Sequence, residues 1–455
     1  MKGFLFNLLF CLLLSIPQIH AQVDSGTAAE LQAELDNIIT SDNIKGLSAA
    51  IMFGNGALWT ATAGISHEGQ AVTSDMLFGI GSITKTYTAT TVLSMYEDGL
   101  LDLDDPISDF LPDFDNIDPT ITVRQLLQHT SGVYDYIENP GYLDAIIGDL
   151  TKLWEPEETI NQFVNSPVFL PGTMHQYSNT NYILLGMIVE SISGNLLSEE
   201  MVNRIFEPAN LDSTFLNIEQ DHYGLYAHPW FDFDGNGALD DLIEQNIPFE
   251  AAWSSSWADG AIVATAADLA RFSQALFVEE SILSPATLSE MKDFSATNNQ
   301  YGLGIYPTSS PCENWIGHNG QFVYSGEWAF FEPVGISIAI LYNQEIPNGS
   351  IPVQHITALC DILKNANPPS SNSFTTKDNF IEAYPQPAKQ FVRFSIPSHY
   401  QNVNILIYSV DGKMVKSVNH FNGEEQLDIS ELVSGIYVVK IESEIEEFVT
   451  KLIIE

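Results

Sequence analysis

The first apolar stretch runs from Phe4 to Ile16 behind a single Lys2, and Ile19-His20-Ala21 closes on a small residue before Gln22. So short and early a run, charged in front and small behind, reads as a removable signal segment over residues 1–21, not a membrane span. Globular periods follow. Residues 29–42 set Leu31, Leu35, Ile38 and Ile39 on one helical face. Leu47–Phe53 and Leu58–Gly64 are strand-length runs joined at Gly54-Asn55-Gly56, which predicts a hairpin. A helix-length segment from Ser82 passes Leu93, Met95 and Tyr96 to Asp98-Gly99, and it is apolar or small on nearly every side, as a helix inside a core would be.

Shorter elements come next. Ile121–Gly132 predicts a short helix closed by His129-Thr130-Ser131-Gly132, and Tyr182–Ser193 an apolar helix stopped at Gly194. Residues 257–277 pass from a glycine-containing turn into an amphipathic helix capped near Thr265, with Leu269, Phe272 and Leu276 inward. Tyr301–Tyr306, Gln321–Phe331 and Ile336–Tyr342 predict neighbouring antiparallel strands, with Trp315–Gly320 between the first two. The composition breaks at Asn367-Pro368-Pro369-Ser370-Ser371, giving a linker over 367–381. Beyond it, Val403–Val410 and Met414–Val418 form a hairpin across Asp411-Gly412, and Ile436–Ile441 and Phe448–Ile454 add strands. The pattern predicts a large mixed domain over 22–366 and a small all-β domain over 382–455.

Charge narrows the partners. The 455 residues carry 16 Lys and Arg against 59 Asp and Glu, a net charge of −43. Only nine basic residues stand against 48 acidic ones in 22–381. Nucleic acid is excluded as a partner, and an anionic substrate meets a repulsive field unless salt screens it. Such acidity also serves solubility in salty surroundings. After signal removal the cysteines are Cys312 and Cys360. In an oxidising compartment the two could bridge, or both could stay buried thiols, and neither has metal-ligand spacing.

Against so few cations, Lys85 stands out. Ser82-x-x-Lys85 places a serine and a lysine one turn apart on a helix face. A lysine in a buried helix must be paired, hydrogen-bonded or deprotonated, and one that can lose its proton assists a serine nucleophile. Tyr177-Ser178-Asn179 sits in a loop where a phenol and an amide can point the same way. His318-Asn319-Gly320 lies on a strand that could present side chains and a backbone N–H to a cleft, with Gly320 allowing close approach. His129, in a closing turn, reads as a structural hydrogen-bonder. Phe231–Asp241 offers Asp232, Asp234, Asn236 and Asp240 as oxygen ligands with Gly237 at the sharp turn of a calcium loop, but its last position is Ile243, with Glu244 adjacent. A structural calcium and a solvated Asp/Gly turn are both open there.

Three motifs in this order, with LLQHTSG, LPGTMHQYSNTNYILLGMIVESISG, ADGAIVATAADLARF and GHNGQFVYSGEWAFF around them, resemble the serine β-lactamase and penicillin-recognising superfamily. The likeness is to its class C β-lactamase, D-alanyl-D-alanine carboxypeptidase and family VIII esterase branch, over residues 28–363. The resemblance implies an α/β (α+β) fold: an antiparallel sheet flanked by helices with an all-helical subdomain. It implies Ser82 as nucleophile, Lys85 and Tyr177 sharing proton transfer, and the backbone N–H groups of Ser82 and Gln321 as oxyanion hole. It implies Asn179, His318, Asn319 and Gly320 as substrate contacts and requires no cofactor. Histidine replaces the lysine of β-lactamases in the third motif, which points to a peptidase or esterase acting on a small or peptide ester or amide, with a true β-lactamase and a non-catalytic surface binder as alternatives.

Ala383-Tyr384-Pro385, Asp411-Gly412-Lys413, Ser434-Gly435-Ile436-Tyr437 and the final Lys451-Leu452-Ile453-Ile454 resemble the C-terminal sorting domain of type IX secretion in Bacteroidetes. That implies export through the periplasm to the cell surface or medium, with the secretion machinery as partner. A small binding β-sandwich is the competing reading.

Overall fold

The computed structural model describes residues 23–220, 224–298, 300–346, 353–366, 383–384, 388–394, 403–409, 413–421, 426–442 and 447–454. The signal segment and the linker expected above lie outside the described residues. The chain divides into two compact units between Asn367 and Pro368.

The first unit is built on an antiparallel sheet of strands β1 (Gly46–Met52), β2 (Leu58–His67), β3 (Gln70–Ala71), β4 (Tyr306–Thr308), β5 (Trp315–Gln321), β6 (Ser325–Phe331) and β7 (Ile336–Tyr342). Their spatial order is β3-β2-β1-β7-β6-β5-β4. The helices that matter below are α1 (Ser25–Ser41), α2 (Thr84–Glu97), α3 (Val123–Leu127), α4 (Thr180–Ser193), α5 (Glu250–Gly260), α6 (Ala266–Phe277) and α7 (Val353–Asn365). Strands β1, β6 and β7 are buried at every position, as their apolar or small runs, broken in β6 only by Glu327, require of strands covered on both faces.

One sheet face meets α1 and α7 through Leu31, Leu35, Ile338, Ile340, Ile356 and Leu359. The other face belongs to the larger core, which takes in α6 and the helical subdomain. Cys312 and Cys360 are bridged, tying the segment ahead of β5 to α7. Of the two states the sequence left open, this is the one formed.

Most expected elements are present with shifted ends, and the departures have physical causes. Ser82 is not inside a regular helix: Gly81–Ile83 forms a tight 3-10 turn, and α2 begins at Thr84. Tyr301–Ile305 is not a strand. A side chain at Gly302 would overlap the Met291 carbonyl, and Gly304 has φ +82° against Ala89, so these glycines let the segment crowd onto α2. There the Gly304 carbonyl accepts from the Thr86 hydroxyl at 2.8 Å. Gln321–Phe331 is not one strand: Gln321 ends β5, a turn follows, and Ser325 opens β6. Trp257–Gly260 is no loop but the end of α5, kinked at Trp257, and Ile262–Ala264 is a strand between it and α6. The expected cap holds, since Thr265 accepts from the Asp268 amide at 3.2 Å.

The second unit holds two small sheets. Met414–Phe421, Val403–Ser409, Gly435–Glu442 and Glu447–Ile454 pair in that order, and Ala383–Tyr384, Phe391–Phe394 and Leu427–Asp428 make the other. Val403, Ile405 and Ile407 alternate inward and share a core with Val392, Phe394, Val439 and Leu452.

Removing the bridge with Cys312→Ser and Cys360→Ser is expected to cost about 2–4 kcal/mol of stability in the first unit, because the unfolded chain regains the freedom of a long loop. Chemical denaturation of the oxidised, reduced and double-serine proteins checks this; equal midpoints would remove the stabilising role.

Candidate active site

Helix α2 is buried from Thr84 to Leu93 despite its five threonines and one lysine in fourteen residues. Its hydroxyls are satisfied by backbone: Thr88 donates to the Ala258 carbonyl at 2.6 Å, Thr90 and Thr91 to their own preceding turns, and Thr84 accepts from the Ile262 amide at 3.1 Å. Lys85 is wholly buried, yet its ammonium has partners. Nζ lies 3.1 Å from Ser82 Oγ, 2.7 Å from Asn179 Oδ1 and 2.8 Å from the Asp259 carbonyl, with Asp259 Oδ1 at 3.5 Å. Burial pushes the Lys85 pKa down, while Asp259 and then Asp135 hold it up. Burial likewise raises the pKa of Asp259 against the pull of Lys85.

Asp259 reaches Lys85 because of two backbone features. Gly186 in mid-helix α4 leaves room for Ala258 and the Trp257 ring, which any side chain there would strike. Trp257 takes φ 32°, a left-handed conformation that costs a non-glycine residue about 1–3 kcal/mol and turns the end of α5 toward α2. Tyr136 donates to Asp259 Oδ2 at 2.8 Å, and Asp135 accepts from Asn179 Nδ2 at 3.0 Å. Burial raises Asp135 to about 6, with hydrogen bonding from Asn179 and the charge on Lys85 opposing.

Asn179 therefore has both ends of its amide engaged, by Lys85 and Asp135, and is buried. At the start of α4 the residue links Lys85 to Asp135 and so positions the ammonium. Tyr177, two residues earlier, keeps its place at the cleft. Its hydroxyl is buried without a well-formed hydrogen bond among the described residues, and its ring lies 5.0 Å from Lys85 Nζ. Burial drives its pKa well above the usual phenol value, with the Ser82 side chain acting in the opposite direction.

His129 holds this loop in place. Its Nδ1 faces the Ser178 amide at 3.2 Å and Asn181 Nδ2 at 3.1 Å, so it serves as acceptor, and its ring packs on Tyr177 at 4.3 Å. Burial first, then Lys85, keeps it neutral. The same turn zips to the Leu170-Pro171-Gly172 segment through Gly172 N to Thr130 O at 2.8 Å and Gln176 N to His129 O at 3.0 Å. These bonds give His129 the structural role expected of it.

On the opposite wall, β5 carries the third motif past the Ser82 turn. A side chain at Gly320 would overlap the Ile80 carbonyl and crowd the Ser82 amide, and Gly81, at φ +51°, is pressed against the Gln321 backbone. The amides of Ser82 and Gln321 thus lie on touching segments, as an oxyanion hole needs. His318 is buried, with Nε2 at 2.8 Å from the Tyr301 hydroxyl and Nδ1 against the Asn319 carbonyl. Burial pulls its pKa down to about 3, helped by the charge on Lys85. Burial thus favours the neutral ring, and both of its nitrogens have partners within the protein.

Ser82, Tyr177, Tyr301, Tyr306, His318, Asn319, Gly320, Gln321 and Glu327 share one cleft of about 540 Å³. Asp135, Asp259, Tyr301 and Glu327 had no signal in the three motifs; two of them fall inside the quoted surrounding stretches, Asp259 in ADGAIVATAADLARF and Glu327 in GHNGQFVYSGEWAFF, without a role being read for either.

Of the four oxygen-bearing residues of the 231–241 loop, Asp232, Asp234 and Asn236 lie in a turn between the paired Trp230–Phe231 and Asp240–Asp241, and Asp240 opens the second of those strands. Asp232 accepts from the Gly237 amide at 2.9 Å, Asp234 from Asn236, and Asp240 from Gln245 at 2.7 Å. Among the described residues no group of three or more His, Cys, Asp or Glu is placed to hold a metal ion.

An antiparallel sheet flanked by helices, with a serine at a tight turn, a buried lysine behind it and a glycine-bearing strand across from it, is the architecture of the penicillin-recognising proteins. The chain belongs to the β-lactamase family, whose model it matches over residues 29–358. Residues 382–455 match the secretion system C-terminal sorting domain, which marks the protein for secretion or the cell surface. Among the described residues no helix is long and apolar enough to cross a membrane. The chain is 27% identical to penicillin-binding protein 4 of Amycolatopsis lactamdurans over 68% of its own length and 77% of that protein. It is 28% identical to esterase EstB of Burkholderia gladioli over 44% of its length, spanning 55% of that relative. A solved D-stereospecific amidohydrolase from Streptomyces sp. superposes with a TM-score of 0.61 at 28% identity, covering 70% of this chain and 94% of that one.

Gly320→Ala is expected to destabilise the first unit by about 1–3 kcal/mol as β5 is forced off the Ser82 turn. Thermal unfolding beside Gly148→Ala, an exposed control with open space around it and an ordinary backbone conformation, checks the assignment. Equal losses in the two variants would count against the close approach.

Proposed function

We propose that the protein is an exported serine hydrolase that forms an acyl-enzyme on Ser82 and acts as a carboxypeptidase-like peptidase, amidase or family VIII-like esterase. The observation that carries this reading is the set of three neighbours around Lys85 Nζ. A neutral amine has two N–H donors and one lone pair. Asn179 Oδ1 and the Asp259 carbonyl take the two donors, which leaves the lone pair for the Ser82 hydroxyl. After the proton moves, the ammonium has three donors for the same three neighbours. Lys85 is hydrogen-bonded in both states, so it can take the serine proton and return it without rearrangement.

Attack by Ser82 Oγ on a substrate carbonyl would place the developing oxyanion between the Ser82 and Gln321 amides. Tyr177, its hydroxyl in the cleft without another strong partner, would pass a proton to the leaving group and then draw one from the deacylating water. Asn319 is left to orient the substrate backbone. The penicillin-binding and amidohydrolase relatives fit an amide or peptide substrate, and EstB fits an ester. A true β-lactamase is disfavoured by the neutral, doubly engaged His318. Calcium in the 231–241 loop would be structural and remote from this chemistry; equal melting temperatures in calcium and in chelator would remove it.

Ser82→Ala is expected to abolish p-nitrophenyl acetate turnover. Turnover that persists in that variant would overturn the acyl-enzyme. In the wild type, kcat/KM should rise with pH as the Lys85 cluster gives up its proton. Asp259→Asn removes the carboxylate that favours the ammonium, so the acid limb should move to lower pH. A limb that stays in place, or moves upward, would exclude Asp259 as the group that tunes Lys85.

A further inference from the structure

Glu327 is the one carboxyl side chain among the described residues lining the cleft that holds Ser82. It stands in the middle of β6, directly across the ladder from Asn319 and next to the Gly320–Gly326 pair. The residue is 2% exposed, and its Oε2 is buried with no hydrogen-bond partner among the described residues. The nearest ionisable neighbours it perturbs are the phenols of Tyr306 and Tyr342, and burial alone pushes its own pKa up to about 8.

A carboxyl buried with an orphaned oxygen is destabilising. Such a group usually gains a partner or is replaced, and the ladder position could be filled by any strand-forming apolar residue. The cleft offers it no lysine, no arginine and no charged histidine, since His318 is neutral and Lys85 lies behind Ser82. Tyr301, Tyr306 and Tyr177 surround the site with aromatic faces, which favour cations over anions. The field of the large domain has the same preference, attracting cations and repelling carboxylates.

We propose that Glu327 forms a subsite for a protonated amine carried by the substrate, so that the Ser82 cleft selects small amine-bearing amides or esters and turns away carboxylate-terminated ones. This rests on the hydrolase reading of Ser82 and names its substrate class. On binding, the ammonium donates hydrogen bonds to the carboxylate, and the proton that the empty acid holds leaves to solvent. Asn319, across the ladder, contributes an amide to the same group or to the adjoining backbone.

Benzylamine, benzyl alcohol and phenylacetate share a frame and differ in charge, so they separate this subsite from a general apolar pocket. Titrated by calorimetry into the mature Ser82→Ala protein, benzylamine is expected to bind about tenfold tighter than benzyl alcohol, the scale of one charge-assisted hydrogen bond, with phenylacetate weakest. Glu327→Gln should erase the preference for the amine over the alcohol. Equal binding of amine and alcohol by Ser82→Ala, or a preference that survives Glu327→Gln, overturns the proposal. Should the glutamine variant fail to fold, the same comparison in Glu327→Leu and the amine-to-carboxylate ranking in the Ser82→Ala protein decide it. These titrations require no turnover. Amine preference without Ser82-dependent ester hydrolysis would sink the hydrolase reading alone, and hydrolysis without amine preference the subsite alone.

Discussion

The constraint on which the rest of the first unit turns is the burial of one ammonium. Taking Lys85 out of water costs several kcal/mol unless every donor finds an acceptor and a counter-charge stands near. The fold supplies these from three separate segments: Asn179 from the start of α4, the Asp259 carbonyl and carboxylate from the kinked end of α5, and Ser82 from the turn before α2. Each is fixed in turn by something remote. His129 holds the loop before Asn179, Tyr136 holds the Asp259 carboxylate, and Gly186 admits α5 to its close packing. Much of the helical subdomain thus serves to keep one amine hydrogen-bonded in the dark.

That economy also explains why polar residues fill a helix that must be buried. Threonine hydroxyls at 86, 88, 90 and 91 bond to carbonyls, so α2 can carry oxygen through the core without leaving it unsatisfied. A helix of larger apolar residues would not leave room for α5, α4 and the Tyr301–Ile305 segment to converge on Lys85.

Several parts of this arrangement were legible from residues alone. Periodicity located the main helices and strands, and the scarcity of cations made Lys85 conspicuous before any partner was known. Gly320 was legible as a close approach because only glycine permits one. What stayed hidden depends on contacts between segments far apart in sequence. Asp259 follows a tryptophan whose φ no propensity could announce. Asn179 looked like a substrate group because its spacing to Tyr177 says nothing about which lies deeper. Tyr301–Ile305 alternates like a strand, and only the crowding of Gly302 against Met291 and of Gly304 against α2 reveals a different path. Glu327 sits in an apolar strand where a carboxyl has no local purpose, and its neighbours come from β4, β5 and α7.

The two walls of the cleft differ in their electrostatic logic. Behind Ser82, an ammonium, two carboxyls and a tyrosine lie in one network where burial pushes each ionisable group toward neutrality while the ammonium and the carboxyls hold one another charged, so a proton can move at little cost in net charge. Across from it, the third motif presents a neutral histidine locked between Tyr301 and its own strand, so the wall that faces substrate has no fixed cation. A site of this kind cannot use charge to anchor an anionic substrate, and the acidic surface of the large domain would oppose one from a distance. Selectivity must then come from shape, from backbone hydrogen bonding along the free edge of β5, and from whatever the Glu327 carboxyl prefers.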